Sequence, residues 1–224
     1  MDSPKYNRTF HVPWSPGGTN DDKRAKMAGF YGLDIVITEK MDGSNTSLEA
    51  GGCFARTHSG PPTHASFDGL KAFHASVKYK IPNGIQLFGE WCYARHSIEY
   101  NELPGYFMLF NVRDLNRVHE GQPNPMWLSW EEVEMWAEEI GVPTVPVLFK
   151  GKVWGDRELE ELTNSFMNQP SACGGIREGV VVRLAAEFVE RSFDYCVLKC
   201  VRANHVQTTE HWKDQEIIKN KLKL

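Results

Sequence analysis

The chain has 224 residues, 41% apolar and 24% charged, which is enough for one substantial core and unlike a disordered segment. Its net charge of −4 argues against a protein that coats nucleic acid by bulk electrostatics, while leaving room for a local basic site. No run of about 18 apolar residues could span a membrane, the opening Met1-Asp2-Ser3-Pro4-Lys5 lacks a signal-peptide layout, and five cysteines without framework spacing fit reduced thiols, so the expected setting is cytoplasmic.

Residues 1–30 read as a turn-rich arm with Pro13, Pro16, Gly17 and Gly18, whose Arg8, His11 and Trp14 either contact substrate or pack as a wrap. Leu33-Asp34-Ile35-Val36-Ile37 reads as a buried strand that Asp42-Gly43 ends, the glycine supplying a turn with positive φ. Lys40 is thereby held at a strand end, where its amine could attack a nucleotide phosphate. Residues 45–50 and 53–57 are expected to form a hairpin across Gly51-Gly52 that brings Arg56 near Lys40 across strands. A helix is expected over 66–78, with strands over 85–91 and 106–112. Ser129, Glu132 and Gly141 mark a helix over 129–140 by a capping box and a C-terminal stop. Asp156 is expected to cap a helix reaching Met167, followed by strands over 179–184 and 195–201 and a polar tail, 205–224, helical from about Thr209. With no repeat or long linker, the pattern is one α+β domain, 1–224, of largely antiparallel sheets flanked by helices.

Charged residues recur inside apolar or glycine-rich segments: Lys40, Arg56, Arg95, Arg177, Arg183, Lys199 and Arg202, with Glu90 and Glu178. An ion in a half-buried strand is costly unless it is paired or meets a ligand, so the set implies a polar pocket between sheets, suited to a nucleoside triphosphate.

Five segments in order carry a resemblance: Glu39-Lys40-x-x-Gly43-x-Asn45, Phe54-Ala55-Arg56-Thr57-His58-Ser59-Gly60, Leu87-Phe88-Gly89-Glu90-Trp91, Glu178-Gly179-Val180-Val181-Val182-Arg183 and Val197-Leu198-Lys199-Cys200-Val201-Arg202. They resemble the signature motifs of the covalent nucleotidyltransferases, and within these the ATP-dependent RNA ligases, type-2 and compact bacterial or phage members above all. The early Thr9-Phe10-His11-Val12-Pro13-Trp14 and the late Val201-Arg202-x-x-x-Val206-Gln207-x-x-x-His211-Trp212 extend the likeness over nearly the whole chain.

The resemblance implies an ATP-grasp-like ligase adenylation fold and an enzyme that seals RNA 3′-hydroxyl and 5′-phosphate ends through lysyl-AMP and RNA-adenylate, with a role in RNA repair. Lys40 would be the nucleophile toward ATP, its proton loss favoured by partial burial and by the field of Lys199, Arg56 and Mg²⁺, for which Mn²⁺ can substitute. Lys199 would hold the α-phosphate; Glu178 and Glu90 would place the metal, Glu90 also serving the nucleotide sugar. Phe110 would stack on adenine, Glu39 would help read its amino group, Arg56 would bind the ribose or the RNA 5′-phosphate, and Asn45 would act when AMP is moved to that phosphate.

Two departures from the family stand out. The second lysine of the final type-2 motif is replaced by Val201, leaving Arg202 as the next cation to take a phosphate contact. Only 25 residues follow Lys199, too few for an OB-fold domain, so a monomer assisted by a separate RNA-binding partner is the expected arrangement. A DNA ligase, a capping guanylyltransferase and a non-catalytic RNA-binding module are the rival readings. Cys196-x-x-x-Cys200 reads as buried thiols rather than half a zinc site, and His205 and His211 as surface residues.

Overall fold

A computed structural model describes residues 5–19, 22–23, 27–56, 60–119, 121–203 and 216–224. The strand before the lysine, β2 (Asp34–Lys40), comes after β1 (Phe10–His11) and sits inside a five-stranded sheet with β10 (Val147–Lys152), β11 (Gly179–Leu184) and β13 (Val197–Val201), in the order β1-β13-β11-β2-β10. The β1–β13 pair is parallel and the other neighbours are antiparallel. A second sheet takes β3 (Ser44–Glu49), β4 (Gly52–Ala55), β5 (Ile85–Trp91), β6 (Phe107–Asp114), β9 (Met126–Trp127) and β12 (Phe188–Val189), in the order β12-β9-β6-β5-β3-β4. A separate short ribbon pairs β7 (Val118–His119) with β8 (Gln122–Pro123).

Alternation in the first sheet decides what lies on each face. Ile35 and Ile37 of β2, Val180 and Val182 of β11, and Leu198 and Cys200 of β13 bury together against α3 (Asp156–Met167). Burying each of these large aliphatics fully contributes roughly 1.5–3 kcal/mol. Thr38, Lys40, Val181 and Lys199 therefore have their side chains on the opposite face. The second sheet packs Leu48, Leu87 and Val112 with α1 (Asp68–Val77) and α2 (Trp130–Ile140) in another core.

The capping box of α2 forms in both directions, and Gly141 closes the helix at φ 72°. For α3 the cap is Gly155, not Asp156, which becomes the first helical residue and pairs with the Tyr31 hydroxyl. The β3–β4 connection is Ala50-Gly51, since Glu49 already pairs with Gly52, and neither glycine there has positive φ. Residues 193–196 form a helical turn, α4 (Phe193–Cys196), so β13 starts only at Val197. Within the expected terminal helix, 216–224 is not helical, with Lys219 and Leu222 instead bridging to Ala94 and Leu103; 204–215, including His205 and His211, lie outside the described residues.

Gly43 is also not a positive-φ residue. It is required by contact: a Cβ there would lie 2.8 Å from the Trp91 carbonyl oxygen and 3.1 Å from Cys92 Sγ. Gly179 has the same kind of reason, because its Cβ would fall 2.2 Å from the Cys200 carbonyl oxygen on the paired strand. All five cysteines are buried and free.

Candidate active site

The two sheets wall a cavity of 510 Å³. Thr38, Lys40, Val181, Arg183 and Lys199 line it from the first sheet, and Asn45, Glu90, Phe110 and Asn111 from the second. Lys40 and Arg56 thus face the cavity from different sheets, rather than across one hairpin, because Lys40 ends β2 while Arg56 follows the edge strand β4.

Register explains how the first wall is assembled. Gly179 pairs with Lys40, so the preceding Glu178 is delivered beside the amine, and Val181 stands between Thr38 and Lys199. Lys40 Nζ donates to both Glu178 carboxylate oxygens at 2.7 Å. The carboxylate side chain is 6% exposed and the lysine 28%. Burial pulls the Lys40 pKa down, but Glu178, with Glu90 and Asp42 behind it, outweighs burial and leaves it above the ordinary lysine value. This overturns the expectation of a lysine depressed by surrounding cations: its nearest neighbours are carboxylates. The depressed group is Lys199, pushed down to about 8 by burial and then by Lys40, with Arg56 contributing.

Glu90 pairs in register with Asn45 and is pushed up to about 8 by burial, against the opposing pull of Lys40 and with repulsion from Glu178 and Asp42. A divalent cation fits this donor set, because carboxyl groups outnumber the amine they surround and hard oxygens suit Mg²⁺ or Mn²⁺. Among the described residues no group of three or more His, Cys, Asp or Glu forms a cage.

The β5–β6 register slips between Phe88 and Gly89, which face Asn111 and Leu109, so Phe110 has no partner across β5. That bulge lets consecutive residues Phe110 and Asn111 both line the cavity. Asn45 Oδ1 is buried without a hydrogen-bond partner among the described residues, an acceptor left on the cavity wall.

Two expected site residues are placed elsewhere. Glu39 turns its carboxylate to the face bearing Ile35 and Ile37, where it accepts from the Ala172 N–H at 3.0 Å and pairs with Arg177 at 3.3 Å. Only the Glu39 main chain is left for the cavity. Arg202 lies one residue out of phase with Lys199, so it joins Met167, Gln169 and Ile176 around a second cavity and donates to the Arg177 carbonyl at 3.4 Å. It does not replace the absent lysine beside Lys199, and Val201 is buried.

One lining residue escapes sequence reasoning. Tyr6, from the arm, lines the cavity, stands edge-on to Phe110 with ring centroids 5.2 Å apart, and has a hydroxyl that accepts from Asn111 Nδ2 at 3.3 Å. A lone tyrosine in a turn-rich arm offers no periodic signal. Arg183 is 2% exposed and donates to Asn111 Oδ1 at 2.8 Å and to the Leu128 carbonyl at 2.6 Å. The arm is mainly a packed wrap: His11 is buried against Ser15, and Trp14 Nε1 donates to Thr163 Oγ1 at 2.9 Å.

The fold has counterparts among known proteins. A variant of Naegleria gruberi RNA ligase with AMP and Mn aligns at a TM-score of 0.56 and 15% identity, over 92% of this chain and 58% of that one. Another variant of the same ligase, with ATP and Mn, gives 0.55 and 16%, over 84% and 54%. An archaeal ATP-dependent RNA ligase gives 0.54 and 16%, over 90% and 49%. At these identities the likeness concerns the fold, and the chain spans about half the length of those structures. No curated protein sequence matches it. The RNA ligase family model matches residues 33–201, which hold Lys40, Glu90, Glu178 and Lys199, and the chain belongs to the RNA ligase family.

Proposed function

We propose that the chain is an ATP-dependent RNA ligase that joins 3′-hydroxyl and 5′-phosphate ends, in the service of RNA repair. The observation that carries this reading is the Lys40 amine at a strand end, clamped by Glu178 in a cavity that also holds Lys199, Arg56 and Phe110.

In the first step the neutral Lys40 amine attacks the α-phosphorus of ATP, a P–N bond forms, the α–β bridging P–O bond breaks, and pyrophosphate leaves. Lys199 holds the α-phosphate in line, and Phe110 with Val181 encloses the base. Glu178 holds the Lys40 proton in the free protein, and that proton must pass to solvent before the neutral amine can attack. Glu178 and Glu90 would hold a divalent cation, which would supply neutralisation of the phosphate charge. AMP then passes to the 5′-phosphate of RNA near Arg56 and Asn45, and the 3′-hydroxyl displaces it. The chain acts as a monomer, with a separate RNA-binding partner extending its contacts to RNA. No helix among the described residues is long and apolar enough to cross a membrane.

The test is incubation with α-labelled ATP or GTP and Mg²⁺ or Mn²⁺, followed by mapping of any adduct. An acid-labile AMP adduct on Lys40 is expected; its absence with ATP, or a preference for GTP, would overturn the reading. Nicked RNA and nicked DNA substrates then separate RNA from DNA sealing.

Lys199 also predicts a pH dependence. Its proton leaves through about 8, so ATP affinity of the free protein should fall as pH rises through that value, while Lys199→Arg should flatten the profile. Titration of nucleotide binding between pH 7 and 9 checks this.

A further inference from the structure

Residues 216–224 run alongside the loop 92–106 that follows β5. Arg95 N–H donates to the Ile218 carbonyl at 2.7 Å, Leu103 N–H to the Lys221 carbonyl at 3.0 Å, and Lys221 N–H to the Tyr100 carbonyl at 2.9 Å. Asn220, 2% exposed, lies at the centre of this contact. Its N–H donates to the Tyr93 carbonyl at 3.0 Å, its carbonyl accepts from the Tyr106 hydroxyl at 3.2 Å, its Oδ1 accepts from Tyr100 N–H at 2.9 Å, and its Nδ2 donates to the Cys92 carbonyl at 2.9 Å. Every polar group of this residue is spent on one loop.

The same loop grips the turn after Lys40. The Tyr100 hydroxyl accepts from Asp42 N–H at 2.8 Å, and Ser97 and Ile98 N–H groups donate to Asp42 Oδ2 at 2.7 and 2.9 Å. The loop also reaches the segment that leads into Glu178, because Asn101 and Glu102 N–H groups both donate to the Cys173 carbonyl, at 3.1 and 2.9 Å. It therefore joins the chain just after the nucleophile to the chain just before its carboxylate partner. Asn220 itself does not line the Lys40 cavity.

We propose that 216–224 is a positioning strap, with Asn220 as its positioning residue, which fixes the 92–106 loop and, through Tyr100 and Asp42, the approach of Lys40 to a bound nucleotide. The inference rests on the reading of Lys40 as the nucleophile, but its geometry can be tested apart from chemistry. A buried amide that joins the Tyr100 N–H to the Cys92 carbonyl is costly to replace, and its removal releases the loop rather than the sheets. Small displacements of a reacting group are strongly amplified in rate.

The experiment compares Asn220→Ala, Tyr100→Phe and the double variant. Tyr100→Phe removes one hydroxyl and keeps the ring, so it remains informative where Asn220→Ala folds poorly. Single-turnover AMP adduct formation at saturating ATP is expected to slow by about tenfold or more in each single variant, and the double variant to be no slower than the worse single. ATP affinity should stay within about twofold, since neither residue touches the nucleotide. Amide exchange at Asp42, Ser97 and Ile98 should quicken by about tenfold in Asn220→Ala without a matching change in β2.

Unchanged exchange at Asp42, multiplying rate effects in the double variant, or a lowered melting temperature with an unaltered adduct rate per folded molecule would each overturn the strap. Absence of an adduct from the unsubstituted chain would instead remove the nucleophile reading. The exchange data would then decide the strap alone.

Discussion

Replacing Lys40 with alanine is expected to abolish covalent AMP transfer, a loss of roughly 10⁴-fold or more, since the variant lacks the amine that forms the P–N bond. The fold should survive. Lys40 ends β2, its backbone pairing with Gly179 does not depend on the side chain, and the residue is 28% exposed on that side chain. Its partner Glu178, at 6%, would be left as a nearly buried carboxylate without its cation. The cost should be about 1–2 kcal/mol, below that of breaking a fully buried pair because the lysine is partly solvated. Lys40→Arg separates the two roles: a guanidinium keeps the ion pair and the melting temperature, yet cannot serve as the nucleophile. Adduct formation followed beside thermal melting checks both parts.

Glu178→Gln is expected to slow adduct formation by on the order of 10²–10³-fold. Two effects oppose each other in this variant. Removing the carboxylate leaves burial dominant at Lys40, so the amine should lose its proton at lower pH, which favours attack. It also removes a buried carboxylate from the place where a cation would meet the phosphates. The reading advanced here requires the second effect to win at every pH. An adduct that forms faster in Glu178→Gln, with its pH profile moved to lower pH, would show that Glu178 serves only as the lysine's ion-pair partner. Linkage gives an independent check: Lys40 titrates above its unfolded value, so the pair stabilises the fold at neutral pH and loses that contribution as pH rises through the folded value. This alkaline loss should be absent from Glu178→Gln.

The loop that Asn220 fastens shows why some of the site could not be read along the chain. Asp42 reads locally as a turn former, and the structure makes it the acceptor for Ser97 and Ile98, more than fifty residues on. Gly43 reads as a residue freed to take positive φ, whereas it is needed because the Trp91 carbonyl and Cys92 Sγ press against it. In both cases the residue type was informative, but its cause lay in a distant segment. Tyr6 carries no local pattern and reaches the site because the packing of Phe88, Trp127 and Phe193 receives its ring.

Local order determined a good deal. Apolar runs marked β2, β11 and β13, and Ser129, Glu132 and Gly141 marked both ends of α2. Charged residues within apolar strands pointed to a polar pocket, and the resemblance of those segments to RNA ligase motifs implied roles for Lys40, Glu90, Glu178 and Lys199, which meet around one cavity or its ion pair. These features depend on backbone geometry and neighbours a few residues away, which a sequence displays directly. Only the tertiary structure decided the sheet order, the face on which Glu39 and Arg202 project, and which of the two lysines is held protonated. Each of those is set by strand register and by charges brought within a few ångströms from distant segments. A proton's free energy sums over such neighbours and over burial, so Lys40 meets carboxylates, and Lys199 the depressed pKa, for reasons that exist only once the sheets have closed.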